Sequence, residues 1–331
     1  MDDDELPVFA EDARLEDAQA ELEARELGDG LPLVPPTAAR LDAMLAGLAA
    51  PMASRGRVPP LFGELTAAAV AYQSVLAGCR PGEARLVLAA LEACLDPAFN
   101  LLGIQTTTGS PAVCVVVHGP IATRLGLNAS TNCLGPGNRA NACIGRAVAL
   151  ALRNVGGARP LVGDMATMGQ PGKYTFCFAE GAGEAGFPPL PVRRGVLAGA
   201  DAVSVLGVSG TAEVLPARPG DSADAVLAPV AAAMRAALEV SSAAWRPERG
   251  EQVFLLPPEL ARLLAARDYD LARVQRHLFE RGGDSEGQPL AGAPEDIHPI
   301  VTGGAGVKMT YLPLWAGGTR IVTRGLGPLG E

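Results

Sequence analysis

The run Ala-Val-Cys-Val-Val-Val from Ala112 to Val117 restricts the fold more than any other part of the sequence. Its side chains are all apolar, without the alternation of apolar and polar residues that marks a strand with one face in water. A strand of this composition is typical of a sheet that is covered on both faces. Because apolar helical segments precede and follow it, the sequence predicts an α/β fold in which helices cover mixed sheets.

Apolar periodicity predicts further elements along the whole chain. Further helices are predicted at 38–48, 65–76, 82–95, 222–241, 258–266 and 270–281. Further strands are predicted at 101–108, 174–178, 200–208, 252–256, 297–301 and 320–324. The predicted organisation is an acidic N-terminal arm (1–28), a first lobe that carries the candidate site (29–191) and a second lobe (192–331).

The composition disfavours several classes of function. A net charge of −9 and a pI of about 5.0 disfavour nucleic acid as a partner, because phosphate binding needs a basic face. No apolar run approaches the length of a membrane span, and the acidic start differs from the basic start of a signal peptide. The six cysteines form no C-x-x-C pair, which favours a reducing compartment and disfavours a zinc cluster. We therefore expect a cytoplasmic protein without a metal site.

The loop 128–137 leads into an apolar helical segment and forms the first half of a candidate site. Asn138, Arg139 and Asn141 would lie in the first helical turn, where unpaired backbone N–H groups and the helix dipole favour an anion. Together with Asn132 in the loop, these residues are candidates for substrate binding. The alternative is a capped helix that simply enters the core, since Asn is a good N-cap.

The loop 163–172 leads into a strand-like segment and forms the second half of the candidate site. This short region carries five side chains suited to catalysis, namely Asp164, Lys173, Tyr174, Cys177 and Glu180. Lys173 or Tyr174 would move a proton, while a thiolate of lowered pKa would attack or stabilise the substrate. Cys177 is the first candidate for that thiol and Cys133 is the rival. We expect the two loops to face one another across a single cleft.

Ligands of α/β proteins bind preferentially where strands end, which adds four secondary candidates. Gln105, Thr106 and Thr107 lie in the predicted strand 101–108, and His118 ends the Val-rich strand. His118 could act as a general base at neutral pH. The alternative for His118 is a structural histidine that pairs with polar groups at the strand end.

Six segments together resemble an uncharacterised family of bacterial proteins. They include the Gly-Asp-Gly-Leu-Pro motif that begins at Gly28 and the Gly-Pro-Gly-Asn-Arg-Ala-Asn motif from Gly135 to Asn141, and they span 28–37, 75–79, 96–100, 135–141, 154–157 and 164–180. The resemblance implies an association with redox domains that carry a selenocysteine- or cysteine-Gly-Ser-Cys motif. This chain has no Cys-Gly-Ser-Cys, so a redox centre of that kind would belong to another protein.

Two functional hypotheses follow from these features. The first is an enzyme that acts on a small carboxylate- or thiol-bearing molecule by acid/base or thiolate chemistry, as lyases and transferases do. The second is a non-catalytic substrate-binding or scaffold subunit that partners a separate thiol or selenol redox protein.

The Gly-rich segment 303–306 lacks a nucleotide-binding consensus, so the cofactor is left unassigned. The abundance of small and apolar residues in the helices also predicts a homo-oligomer, with a dimer as the first expectation.

Overall fold

The computed structural model describes residues 6–217, 222–240, 250–284 and 286–327. It has an α/β fold in which helices pack around mixed sheets, and this confirms the predicted fold class. The helices are α1 Leu15–Ala24, α2 Ala38–Leu45, α3 Ala67–Leu76, α4 Ala84–Cys94, α5 Leu101–Thr106, α6 Pro120–Arg124, α7 Arg139–Asn154, α8 Leu190–Arg193, α9 Ala223–Val240, α10 Pro258–Ala265 and α11 Leu271–Arg281. The strands are β1 Ser54–Val58, β2 Gly63–Thr66, β3 Ala112–His118, β4 Cys177–Ala179, β5 Ala202–Val208, β6 Ala212–Val214, β7 Gln252–Leu256, β8 Ile297–Val301, β9 Met309–Leu312 and β10 Val322–Gly325.

Two four-stranded sheets form the centre of the fold. The first has the strand order β10-β5-β3-β4, with β3 and β4 parallel and the other neighbours antiparallel. The second has the order β6-β9-β7-β8, with β7 and β8 parallel and the other neighbours antiparallel. Strands β1 and β2 pair separately as an antiparallel hairpin.

The two sheets pack face to face, and helices cover their outer faces. Val115 and Val117 of β3 belong to an apolar core with residues of α3, α4 and α7. Cys114 and Val116 point the other way, because successive strand residues alternate between faces, and they share a core with β7, β8 and β9. The outer face of the second sheet packs against α9, α10 and α11. The architecture is therefore four layers, in the order helices, sheet, sheet, helices.

The sheets do not divide at the predicted boundary between residues 191 and 192. The first sheet joins β3 and β4, which precede that boundary, to β5 and β10, which follow it. The second sheet and helices α9 to α11 all follow the boundary. The predicted boundary thus falls within the residues that build the first sheet. The division of the chain into two lobes is a prediction that these sheets do not test.

The segment 101–108, predicted as a strand, is instead a helix over most of its length. Helix α5 begins after Asn100, which has a left-handed backbone (φ 54°) and accepts a hydrogen bond from the Gly103 N–H at 3.2 Å through its side chain. This N-cap satisfies one of the donors that open a helix, and apolar periodicity alone did not indicate it. Gln105 and Thr107 therefore lie at the end of a helix rather than in a strand.

Helix α7 connects the two candidate loops. Asn138 caps it, because its side-chain oxygen accepts a hydrogen bond from the Asn141 N–H at 2.9 Å. Ile144, Val148 and Ala151 lie three or four residues apart and are buried against the first sheet and its helices. Within the described residues, no single helix is long and apolar enough to cross a membrane, although one bent helix pair (Pro81–Cys94 with Pro97–Thr106, at 75°) passes that test by length and composition.

Candidate functional site

A cavity of about 650 Å³ lies between the start of β3, the C-terminal half of α7 and the loop that precedes β4. Its volume is within the range of sites that bind small molecules. Among the described residues, seven polar side chains line it, namely Asp29, Gln105, Arg153, Asp164, Gln170, Lys173 and Tyr174. The structure thus brings together four of the residues predicted from the sequence, and it adds Asp29, Arg153 and Gln170.

Lys173 and Asp164 form an ion pair on the wall of the cavity. The Lys173 Nζ lies 2.7 and 2.6 Å from the two carboxylate oxygens of Asp164. Asp164 also accepts a hydrogen bond from the Ala166 N–H at 3.0 Å, which fixes the carboxylate on its own loop. Tyr174, the next residue along the chain, is 49% exposed, so a ligand can reach it. A cation, a carboxylate and a phenol therefore lie within one short stretch of the cavity wall.

Two buried donors on this wall have no acceptor among the described residues, namely Arg153 Nε and Gln105 Nε2. Arg153 donates to the Glu26 carbonyl through Nη2, at 3.4 Å. Burial lowers the pKa of Arg153, and the neighbouring Arg159 acts in the same direction. Buried donors without a partner are uncommon in folded proteins because each carries a desolvation cost. Both nitrogens are fully buried, so an acceptor in the cavity would reach them only after the Gln105 and Arg153 side chains shift.

The Gly-Asp-Gly loop reaches the cavity through Asp29. Arg146 of α7 binds this carboxylate with two parallel hydrogen bonds, from Nε and Nη2, both 2.8 Å long. Burial alone would raise the pKa of Asp29, but the hydrogen bonds from Arg146 and the Leu31 N–H outweigh it and lower the pKa. Asp29 therefore stays ionised and ties the loop to α7. A smaller cavity of about 390 Å³ shares Asp29, Arg153 and Pro160 with the first.

The first predicted loop does not contribute to this cavity. Arg139 binds the buried carboxylate of Glu83 with both terminal nitrogens and also donates to the Gly78 carbonyl at 3.3 Å. Its positive charge is therefore already paired, rather than exposed to an anion at the start of α7. Neither Arg139 nor the loop before it lines the 650 Å³ cavity, so the structure does not bring the two loops together there.

The three candidate asparagines, Asn132 in the first loop and Asn138 and Asn141 at the start of α7, make local hydrogen bonds. Asn132 donates to the Pro136 carbonyl at 2.7 Å, and Asn138 donates to the Gly126 carbonyl at 2.8 Å. Asn141 accepts from the Asn128 N–H at 2.9 Å and donates to the Asn128 and Cys133 carbonyls at 3.1 Å. These contacts support the alternative of a capped, structurally organised helix entry.

Cys177 and Cys133 are both buried, with exposures of 6% and 7%. Burial raises the pKa of the Cys177 thiol, and the Glu83 carboxylate raises it further. Burial also raises the pKa of Cys133, in spite of its contact with the Thr302 hydroxyl. The expected lowering of these pKa values by nearby cations is therefore wrong, because Lys173 is paired with Asp164 and burial dominates at both thiols.

His118 and Glu180 come together at a place remote from the cavity wall. His118 Nδ1 lies 2.7 Å from Glu180 Oε2, and His118 Nε2 lies 2.8 Å from the Ser204 Oγ. The Ser204 hydroxyl also contacts the Thr323 hydroxyl at 2.7 Å. This order of serine, histidine and carboxylate is that of a hydrolytic triad. However, Ser204 is 0% exposed and His118 is 1% exposed, so a substrate cannot reach either group.

The His118 cluster joins the strands of the first sheet. It links the ends of β3 and β4 to β5 and β10, and Glu180 also accepts hydrogen bonds from the Leu190 N–H at 3.1 and 3.0 Å. The structural alternative for His118 is therefore favoured. Sequence reasoning missed Ser204 and Thr323 because only the pairing of distant strands brings them to His118.

A second buried polar cluster lies where α8 meets the second sheet. Arg194 binds the Glu251 carboxylate and lies 3.3 Å from His298 Nε2, and His298 is 3.0 Å from Glu251 Oε1. Burial lowers the pKa of His298, and the hydrogen bond with Glu251 opposes this shift only in part. Burial would raise the pKa of Glu251, but its bonds with His298 and Arg194 lower it. This cluster makes stability sensitive to pH.

Thr107, the last of the sequence candidates, makes only a local hydrogen bond. The Thr107 hydroxyl accepts a hydrogen bond from the Gly109 N–H at 3.1 Å, which is a turn contact, and Thr107 does not line the cavity.

Across the described ranges of the chain, no group of three or more His, Cys, Asp or Glu side chains is placed to hold a metal ion. Neither a model of a known protein family nor a curated protein matches this sequence.

Proposed function

We propose that the 650 Å³ cavity binds a small molecule that carries a carboxylate, and that Lys173, Asp164 and Tyr174 exchange a proton with it. The observation that carries this proposal is the pair of unpartnered donors on the cavity wall, Gln105 Nε2 and Arg153 Nε, within the described part of the chain. A carboxylate accepts hydrogen bonds at both oxygens, so it is an acceptor of the type that these two donors lack.

The charges of the wall favour a single negative charge on the ligand. Lys173 is neutralised by Asp164, and Asp29 is neutralised by Arg146. Arg153 is the remaining charged side chain among the described lining residues, and its Nη2 donates to the Glu26 carbonyl. A monoanion would therefore balance the cavity, whereas a second buried negative charge would lack a partner.

Acid/base chemistry is favoured over thiolate chemistry at this cavity. Neither Cys133 nor Cys177 lines it, and both thiols have raised pKa values. Lys173, Asp164 and Tyr174 supply one ammonium, one carboxylate and one phenol on the same wall. Groups of these types act as general acids and bases when they lie within hydrogen-bond reach of the reacting atom. A proton transfer of the lyase or transferase kind is the reaction class that we propose.

The second candidate is a binding subunit without its own chemistry. The close Lys173–Asp164 ion pair favours it, because each group already satisfies the charge of the other. In that case the reactive thiol or selenol would belong to a separate redox protein, since no cysteine lines the cavity among the described residues. The ligand would still bind at Gln105 and Arg153.

Calorimetric titration of the full chain with a panel of small monocarboxylates and their amides tests the binding step. We expect saturable binding of at least one carboxylate, no binding of its amide, and binding about tenfold weaker or more in Arg153→Met. Arg262→Met is a matched control, because Arg262 is an exposed arginine that pairs with Glu184 away from the cavity. Binding by no carboxylate would contradict the proposal. Mass spectrometry of the bound ligand after incubation then separates the enzyme from the binding subunit.

A further inference from the structure

A second cavity, of about 730 Å³, is lined by three arginines and one carboxylate. The arginines are Arg55 of β1, Arg85 of α4 and Arg324 of β10, and the carboxylate is Glu92 of α4. None of these residues lines the 650 Å³ cavity. The charged side chains of the wall sum to +2 in a chain whose net charge is −9, so the local charge is opposite to that of the whole protein.

Glu92 is held between two of the arginines. Arg324 Nη2 lies 3.1 Å from Glu92 Oε2, and Arg55 Nε lies 4.0 Å from Glu92 Oε1. The second contact is an ion pair without a hydrogen bond, and Arg55 Nε is a buried donor without an acceptor among the described residues. The Arg55 Nη2 donates to the Ala49 carbonyl at 2.8 Å. One carboxylate therefore offsets one of the three positive charges.

Arg85 has no carboxylate partner among the described residues. The Arg85 Nη2 donates a hydrogen bond to the Gly327 carbonyl. A guanidinium group carries five N–H donors in a planar fork. Among the described residues, the three arginines therefore have donors beyond those in their assigned contacts, and all three side chains line the same cavity.

We propose that this second cavity is a binding site for a dianionic phosphate group, either free or carried on a small ester. A phosphate group carries a charge between about −1.5 and −2 at neutral pH, which matches the +2 of the wall. Its oxygens accept hydrogen bonds in the geometry that the planar fork of arginine provides. A carboxylate would leave about one positive charge unbalanced.

The rest of the wall has room and surface for an organic group. Apolar side chains from α4 and from the segment after α2 line it beside the arginines, including Leu48, Leu88 and Ala89. Inorganic phosphate would occupy only a fraction of 730 Å³. The apolar side of the cavity therefore favours an ester over the free ion, because an apolar substituent would displace water there.

Calorimetric titrations of the full chain with inorganic phosphate and with phenyl phosphate test this site. We expect both probes to bind with one site per chain, and the ester to bind more tightly. Arg85→Gln should weaken the binding of both probes by about tenfold or more, because it removes a positive charge and its donors from the wall. The substitution should disturb the fold little, since Arg85 bonds to the protein through the Gly327 carbonyl. Glu92→Gln should strengthen both, because it removes the one carboxylate among the described residues that line the cavity. Arg57→Gln, an exposed arginine two residues from Arg55 that does not line the cavity, should leave both unchanged.

Each outcome distinguishes the possibilities. Binding of phosphate with exclusion of phenyl phosphate would assign the site to the free ion, and tighter binding of the ester would assign it to an ester. No saturable binding of either probe would overturn the proposal, as would equal affinity in Arg85→Gln or weaker binding in Glu92→Gln. If Arg85→Gln does not fold, Arg324→Gln provides the same test. Arg153→Met, which alters the first cavity, should retain full phosphate affinity and so separates this site from the proposed carboxylate site.

Discussion

Lys173 and Asp164 are nine residues apart in sequence, and their side chains close the loop between them with two contacts of 2.7 and 2.6 Å. The loop then leads through Tyr174 to β4, so the ion pair fixes the position of the phenol as well as its own charges. This arrangement brings a cation, a carboxylate and a phenol to the cavity that is also lined by Gln105 and Arg153, whose Nε2 and Nε have no acceptor among the described residues.

Replacing Lys173 by methionine should separate binding from chemistry. We expect the variant to retain most of its ligand affinity, which Arg153 supplies, and to lose about a hundredfold or more in turnover if Lys173 transfers the proton. The ion pair is partly exposed, so stability should fall by no more than about 1 kcal/mol. The matched control is Lys308→Met, because Lys308 pairs with Glu213 outside the cavity. An equal loss of turnover in the control would argue against a role for Lys173.

Thiol reactivity should follow exposure rather than distance from Lys173. Cys79 and Cys143 are partly exposed, whereas Cys94, Cys114, Cys133 and Cys177 are buried. Burial and the Glu83 carboxylate raise the pKa of Cys79, whereas Arg139 opposes the effect of burial on the pKa of Cys143. We therefore expect alkylation at neutral pH, followed by peptide mapping, to label Cys143 first. Early labelling of Cys177 or Cys133 would show that the sequence-based expectation was right and that these thiols open to solvent.

Glu180→Gln should affect stability and leave ligand binding intact. The substitution removes the charge that His118 and Arg193 face in a buried site, at 2.7 and 3.9 Å. Losing one partner of a buried ion pair costs about 3–5 kcal/mol. Denaturant unfolding should show this loss, while Glu295→Gln, an exposed control, should show almost none. A Glu180→Gln protein of normal stability that fails to bind carboxylate would instead support the catalytic reading of Glu180.

Stability should fall as the pH drops below about 6.5, the ordinary pKa of histidine. Burial lowers the pKa of His298 in the folded protein, so the unfolded chain binds more protons between the two pKa values. The lowered pKa of Glu251 acts at more acidic pH, below the ordinary range of a carboxyl. His298→Gln should therefore reduce the slope of unfolding free energy against pH below about pH 6.5. Because the pKa of His277 is also lowered, His277→Gln measures its share. An unchanged slope in His298→Gln would contradict this assignment.

Much of the fold could be predicted from the sequence, because apolar periodicity reports burial directly. The strand 112–117 and the helices 258–266 and 270–281 match β3, α10 and α11 closely. Strand β1 was missed because it lies in a Pro-rich stretch, and β9 was missed because Pro313 directly follows it. The homo-oligomer, the cytoplasmic location and the bacterial family resemblance remain predictions.

The candidate site could be predicted only in part, since long-range pairing decides which polar side chains meet. Asp164, Lys173 and Tyr174 are close in sequence, and a local cluster is visible without a structure. Asp29 and Arg153 reach the same cavity from distant segments, and only the packing of α7 places them there. The sequence did not reveal that Arg139 is paired, because its partner Glu83 is more than fifty residues away. Glu83 lies in a short 3-10 helix, Pro81–Glu83, that precedes α4.

A crystal structure of the protein with the best carboxylate from the titrations would test the proposed site most directly. We predict that one carboxylate group lies in the 650 Å³ cavity, with its oxygens about 2.7–3.2 Å from Gln105 Nε2 and Arg153 Nε and the rest of the ligand toward Lys173 and Tyr174. A ligand bound at the three arginines of the second cavity, or at Arg139, with no ligand beside Gln105 and Arg153, would contradict the proposed function.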